Sequence, residues 1–141
     1  MYLKKILLIA VIPLLLGSCS IYKDLKLANI GTEFDESSKG YLNLLRWQEY
    51  ESAVSTYVSI PSQEEYREKL KEAGEIRIVD FRVKKLLCDP AKGDATLLAE
   101  LDYYRPPSVT VKTVVDNQKW SYEGENDARF WRLKTLLPDF K

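Results

Sequence analysis

The 141-residue chain contains no histidine. That absence removes the commonest general base and the commonest transition-metal ligand, and with them the Ser-His and Cys-His nucleophilic schemes. Cysteine is almost as scarce: Cys19 and Cys88 are the only two, too few for a Cys-x-x-Cys pair plus its zinc partners. Neither GxxxxGK nor GxGxxG occurs, so no phosphate-cradling glycine loop is encoded. Charge of neither sign dominates, with 21 basic and 21 acidic side chains, and the basic excess of a nucleic-acid-binding protein is missing. The longest apolar run, Ile6 to Leu16, falls well short of the roughly 20 residues that a membrane-spanning helix needs. No metal, no cofactor and no nucleic-acid partner is expected.

What the chain does have begins at its start. Lys4 and Lys5 precede the apolar run, and Gly17 and Ser18 follow it and lead into Cys19. A charged stretch, an apolar stretch and small residues in that order read as a secretory signal over residues 1–18. Its removal leaves 19 basic against 21 acidic side chains, because Lys4 and Lys5 depart with it. The rest, with 45% hydrophobic residues overall and three tryptophans, has the composition of one folded domain with a real core.

Leu16, Gly17, Ser18 and Cys19 resemble the lipobox of bacterial lipoproteins, an aliphatic residue and two small ones before a cysteine. The resemblance implies cleavage between Ser18 and Cys19, diacylation of the Cys19 thiol and, in most Gram-negative bacteria, acylation of the new amino terminus. Several acyl chains make a stable anchor where one gives only marginal binding. In that family an Asp directly after the cysteine commonly retains the protein at the inner membrane. Here the residue is Ser20, which points to the outer membrane and its periplasmic face.

Residues 19–40 show no sustained period and end in a polar cluster, and they read as a lipid-anchored tether with one short ordered piece around Tyr22 to Ile30; about 20 flexible residues reach roughly 25 Å. From Tyr41 to Val58 apolar residues recur at three- and four-residue intervals, which predicts an amphipathic helix. Pro61 ends it. Ser62 and Glu65 form a capping-box pattern for a second helix from Gln63 to Ala73, closed by Gly74. Beyond Gly74 the period becomes two. Strands are predicted over Glu75 to Cys88, with a bulge near Ile78, over Asp94 to Tyr104, over Val109 to Tyr122, with a bulge near Asn117, and from Arg129 to Thr135. Helices followed by a run of hairpin-connected strands give an α+β class, N-terminal helices on a strongly curved four-stranded antiparallel sheet, in a domain spanning residues 41–141.

That element order resembles the NTF2-like (cystatin-like) superfamily, in which a curved sheet wraps N-terminal helices into a cone. DYYRPPSVTVKTVVDNQKW and FWRLKTLLPDF are similar to segments of a group of uncharacterised bacterial lipoproteins with this domain. Enzymes of the superfamily imply Asp with Tyr inside the cone, which here would be Asp80 or Asp102 with Tyr57, Tyr103 or Tyr104. Strand phase turns both aspartates outward, so no catalytic role is expected. An apolar pocket would draw on Trp47, Tyr50, Tyr57, Phe81, Leu101, Tyr103, Trp120 and Trp131, and the same aromatics make an ordinary core. Cys88 reads as a packed thiol. Arg82, Lys84, Glu100, Asp102, Lys112 and Asp116 are expected on the outward sheet face.

The expectation is an outer-membrane lipoprotein, not an enzyme, acting as a binding or assembly module with an envelope protein partner. A carrier or sensor of a small apolar ligand in the cone is the alternative, and a His-free isomerase or hydrolase the third reading.

Overall fold

The computed structural model describes residues 2–141, with side chains from Ser20 onward. Helix α1 (Tyr2–Arg46) is followed by α2 (Tyr50–Tyr57), a 3-10 turn at Ile60–Ser62 and α3 (Gln63–Ala73). Four strands then run in hairpin succession, β1 (Arg77–Asp89), β2 (Asp94–Tyr104), β3 (Lys112–Glu123) and β4 (Phe130–Leu133), in the spatial order β1-β2-β3-β4 and all antiparallel. The class is α+β, with α1 packed on one face of a four-stranded sheet. The sheet remains an open meander.

Residues 20–40 are the first correction. The stretch expected to be a tether is helical, and Ile30, Phe34 and Ser38 are buried in the core with Tyr41, Leu42 and Leu45. These positions fall on one helical stripe, so the folded unit starts by Ile30 and not at Tyr41. Gly31, Gly40 and the serine pair resemble a breaker cluster, but each has a place in the helix. Ser38 Oγ donates back to the Asp35 carbonyl at 3.2 Å. At Gly40 the Tyr57 hydroxyl occupies the space a Cβ would need, which makes the usual helix penalty of about 1 kcal/mol for glycine a condition of close packing.

The helix expected over residues 41–58 is two helices. Gln48 adopts φ 61°, a left-handed backbone that ends α1 and turns the chain into α2. Trp47 lands on the outside of this corner. Ser62 does precede α3 and Gly74 does close it, with φ 68°, but the Ser62 side chain makes no capping hydrogen bond. The capping box is not formed. The backbone N–H of Ser62 donates to the Ser59 carbonyl within the preceding turn instead.

In the sheet the bulge near Ile78 is present, as a register shift between Ile78 and Asp80, and a second one lies between Val83 and Lys85. The bulge expected near Asn117 is absent: β3 pairs with β2 in unbroken register from Lys112 to Ser121. Consequently the phase set by Trp120 continues backward through Gln118 and Asp116 to Val114, and Val115 points the other way. Val109 and Val111 precede the strand and are exposed. On β2, Ala95, Leu97, Ala99, Leu101 and Tyr103 are all buried, as the alternation predicts.

The C-terminal segment closes the top of the helical layer. Leu137 is buried, Phe140 packs edge-on against Tyr103 with ring centroids 4.8 Å apart, and Arg105 donates to the carbonyls of Ala73 and Phe140. A backbone bridge between Val58 and Leu133 covers the free side of β4. At the other edge, no further strand pairs with β1 among the described residues.

Candidate functional site

Aromatic side chains from the inner face of the sheet meet those of the helices, and together they fill the space between the two layers. Trp120 meets the rings of Phe34, Tyr41 and Tyr57 at centroid distances of 5.9, 5.7 and 6.3 Å, all edge-on. Trp131 packs on Phe34 at 5.0 Å and donates its indole N–H to the Ile30 carbonyl at 2.9 Å. Phe34, Tyr41, Trp120 and Trp131 are all within 2% of complete burial. Edge-on aromatic packing of this kind is how a core satisfies ring quadrupoles.

Of the residues expected to line a pocket, Leu101, Tyr103, Trp120 and Trp131 are buried on the inner face. Tyr50, Tyr57 and Phe81 are half-buried around them, and Tyr50 donates its hydroxyl to the Ile76 carbonyl at 3.0 Å. Trp47 is the exception: it is 67% exposed, placed outside by the α1–α2 corner. The Arg46 guanidinium lies 5.5 Å from the Trp47 ring and 5.8 Å from the Phe81 ring. Val79 and Val83 on β1 are also exposed, and Arg46, Trp47, Gln48, Ile78 and Val79 line a shallow dip of about 350 Å³. An apolar margin with a tryptophan and an arginine has the composition of interaction hot spots.

Beneath the aromatics runs a chain of buried polar groups, and one of them, Asp116, is expected on the outward face when the strand is read with a bulge near Asn117. Asp116 is buried, and Gln118 Nε2 donates to its Oδ2 at 2.7 Å, while Trp120 Nε1 donates to Gln118 Oε1 at 2.9 Å. From the helical side Tyr41 and Tyr66 share a hydroxyl hydrogen bond of 2.5 Å. Burial pushes the Asp116 carboxyl up to about 6, against a partial lowering by the Gln118 bond. Burial likewise raises both tyrosines, and the nearby Asp116 charge raises them further. The signal for this cluster was in the sequence: counting back by twos from Trp120 reaches Gln118 and Asp116.

The aspartates expected as candidate bases sit as strand phase implies. Asp80 is exposed, and its Oδ1 accepts from the backbone N–H of Phe81 at 2.9 Å. Asp102 receives the Arg82 guanidinium at 2.5 and 2.9 Å and the Thr113 hydroxyl at 2.6 Å, which hold its carboxyl down to about 2. Glu100 accepts from the same arginine, so this part of the outer face is a paired charge network. Tyr57, Tyr103 and Tyr104 do not gather around either aspartate; Tyr103 donates to the Lys141 carbonyl. Lys112, expected on this outward face, instead shares the Tyr103 side and reaches the same carbonyl at 3.2 Å. Cys88 is half-buried at the end of β1, and its thiol is pushed up by burial, which disfavours the reactive thiolate.

Among the described residues no group of three or more Cys, Asp or Glu side chains is arranged to hold a metal ion, and no helix is long and apolar enough to cross a membrane. The expected cleavage and lipidation residues, Ser18 and Cys19, lie outside the described side chains. No family model, curated protein or solved structure matches the chain.

Proposed function

We propose that this protein is a lipid-anchored module on the periplasmic face of a bacterial outer membrane, where it binds an envelope protein without catalysing a reaction. The anchor rests on Leu16-Gly17-Ser18-Cys19 behind the apolar run, with acyl chains on Cys19 as the membrane partner. The NTF2-like cone is part of this proposal. It is supported by helices followed by four antiparallel strands, and by bulges that bend β1.

The observation that carries the binding role is the placement of Trp47. The other two tryptophans are sunk in a filled core, while this one stands exposed beside Arg46 and Val79 at the β1 edge of the sheet. A filled interior supports recognition by the surface over a small apolar ligand held in the cone. A His-free isomerase or hydrolase has one observation in its favour, the Asp116, Tyr41 and Tyr66 cluster, since a buried carboxyl with a raised pKa is a frequent mark of catalysis. All three side chains are closed to solvent, which leaves a substrate no route to them.

Crosslinking and affinity purification of the membrane-anchored protein, native and Trp47→Ala, tests the reading. A reproducible partner that is recovered with the native chain and lost with the variant, at unchanged thermal midpoint, is the expected result. Recovery with both places the docking surface elsewhere, and recovery with neither ends the binding-module reading. The anchor is tested separately by Cys19→Ala, whose lipid label should disappear; a label that persists means the acyl chains are not on Cys19.

A further inference from the structure

Just after Ser20, α1 carries a second apolar face on the side away from the core. At about 100° per residue, the core-facing positions Leu27, Ile30, Phe34, Ser38, Tyr41 and Leu45 share one stripe. Ile21, Tyr22 and Leu25 lie within about 100° of arc on the opposite side of the same helix. They are 63%, 71% and 59% exposed. Lys26 sits beside this face, a long-stemmed cation of the kind that reaches from an apolar layer to water, while Lys23 falls on the side of the core stripe.

We infer that α1 lies along the membrane surface over residues 20–26, with Ile21, Tyr22 and Leu25 in the lipid interface and the folded domain seated directly above. The occupant of the apolar face is the bilayer. This rests on the reading of Cys19 as the acylated residue, and three facts converge on it. By helical rise, residues 21–25 begin only about 3 to 9 Å from position 19, so acyl chains there bring this face to the headgroups whatever else happens. The face points away from the core stripe, so burying it in lipid raises the domain into the periplasm without a clash. Apolar side chains with a tyrosine and a flanking lysine are the composition of interfacial helices. The helix then replaces a flexible 25 Å spacer by a short, oriented seat. The β1–β2 turn sits near this end of the molecule, since Pro90 packs within 3.7 Å of the space beside Gly31.

The test uses the mature protein purified from membranes in a Cys88→Ser background, its acyl groups on Cys19 verified by mass spectrometry. An environment-sensitive fluorophore is attached to Tyr22→Cys, Leu25→Cys or Lys23→Cys, and the protein is reconstituted into phosphatidylethanolamine–phosphatidylglycerol vesicles containing acyl-chain nitroxide lipids. Emission at positions 22 and 25 should shift to the blue and be quenched several-fold more than at position 23. Equal or absent quenching on an acylated protein overturns the interfacial helix and leaves the anchor standing. Shielding at 22 and 25 without lipid quenching assigns the face to a protein and also overturns it. Absence of acyl groups on Cys19 is the separate failure of the anchor reading, and the inference falls with it.

Discussion

Asp116 holds an ionisable group where water does not reach, and that has a sign. Its folded pKa of about 6 lies above the ordinary 3.8, so the folded state holds its proton more tightly than the unfolded chain. The stability it contributes is complete below about pH 4 and is lost as pH rises through 6. A shift of about two units corresponds to about 3 kcal/mol. Asp116→Asn keeps an oxygen to accept from Gln118 and removes the charge. It should therefore be more stable than the native chain by about 2–3 kcal/mol at pH 7.5, with the difference closing toward pH 4. Urea midpoints across that range check it, and a difference independent of pH would show that the carboxyl is not titrating in the core. Tyr66→Phe is the companion change, leaving the buried Tyr41 hydroxyl without its partner at a cost of about 1–3 kcal/mol. A loss below 0.5 kcal/mol in denaturation would mean that Tyr41 finds another partner.

Helix α1 is the element whose extent decides how the domain is held. Phe34 packs on both buried tryptophans, and its truncation to Ala should cost about 3–5 kcal/mol by large-to-small core statistics. A flexible spacer at residues 19–40 would lose almost nothing, so thermal denaturation of Phe34→Ala separates the two descriptions. The strands were the easier elements to read. On β2 the alternation from Ala95 to Tyr103 gives the buried face residue for residue, because burial on one side of a sheet leaves a strict period of two. On β3 the same period runs through Asp116 and Gln118. Treating Asp116 as a surface residue requires a bulge that the chain does not make, since hydrophobicity alone cannot show that a carboxylate has a buried amide partner. The α1–α2 corner was hidden for a similar reason: Leu44, Leu45, Tyr50 and Val54 keep helical spacing across a break created by one left-handed residue, Gln48. Trp47 was thereby assigned to the core and is at the surface.

At the scale of the whole molecule the continuity of α1 makes orientation a property of the fold. From Ser20 to the first core residue, Ile30, the chain is helical, a path of about 15 Å with no free joint. On the proposed membrane seat, Trp47 and the β1 margin would be held at a fixed attitude to the bilayer, and the proposed partner would be met at that attitude only. Breaking the helix between the seat and the core should abolish the orientation while sparing the fold. Ala28→Pro is suited to this, because proline removes one backbone hydrogen bond and clashes with the preceding turn, while Ala28 is exposed and precedes the first buried residue, Ile30. Its thermal midpoint should stay close to that of the native protein, as surface changes outside the core usually do. Energy transfer from a dye at Lys92→Cys, in the Cys88→Ser background, to acceptor-labelled lipid headgroups should show a single narrow distance for the native helix and a broad, longer distribution for Ala28→Pro. If both proteins give the same distribution, the domain is either already free on its anchor or held by contacts other than α1, and the fixed seat is wrong. If Ala28→Pro unfolds the domain, residues 20–29 contribute to the core and the seat is not separable from the fold.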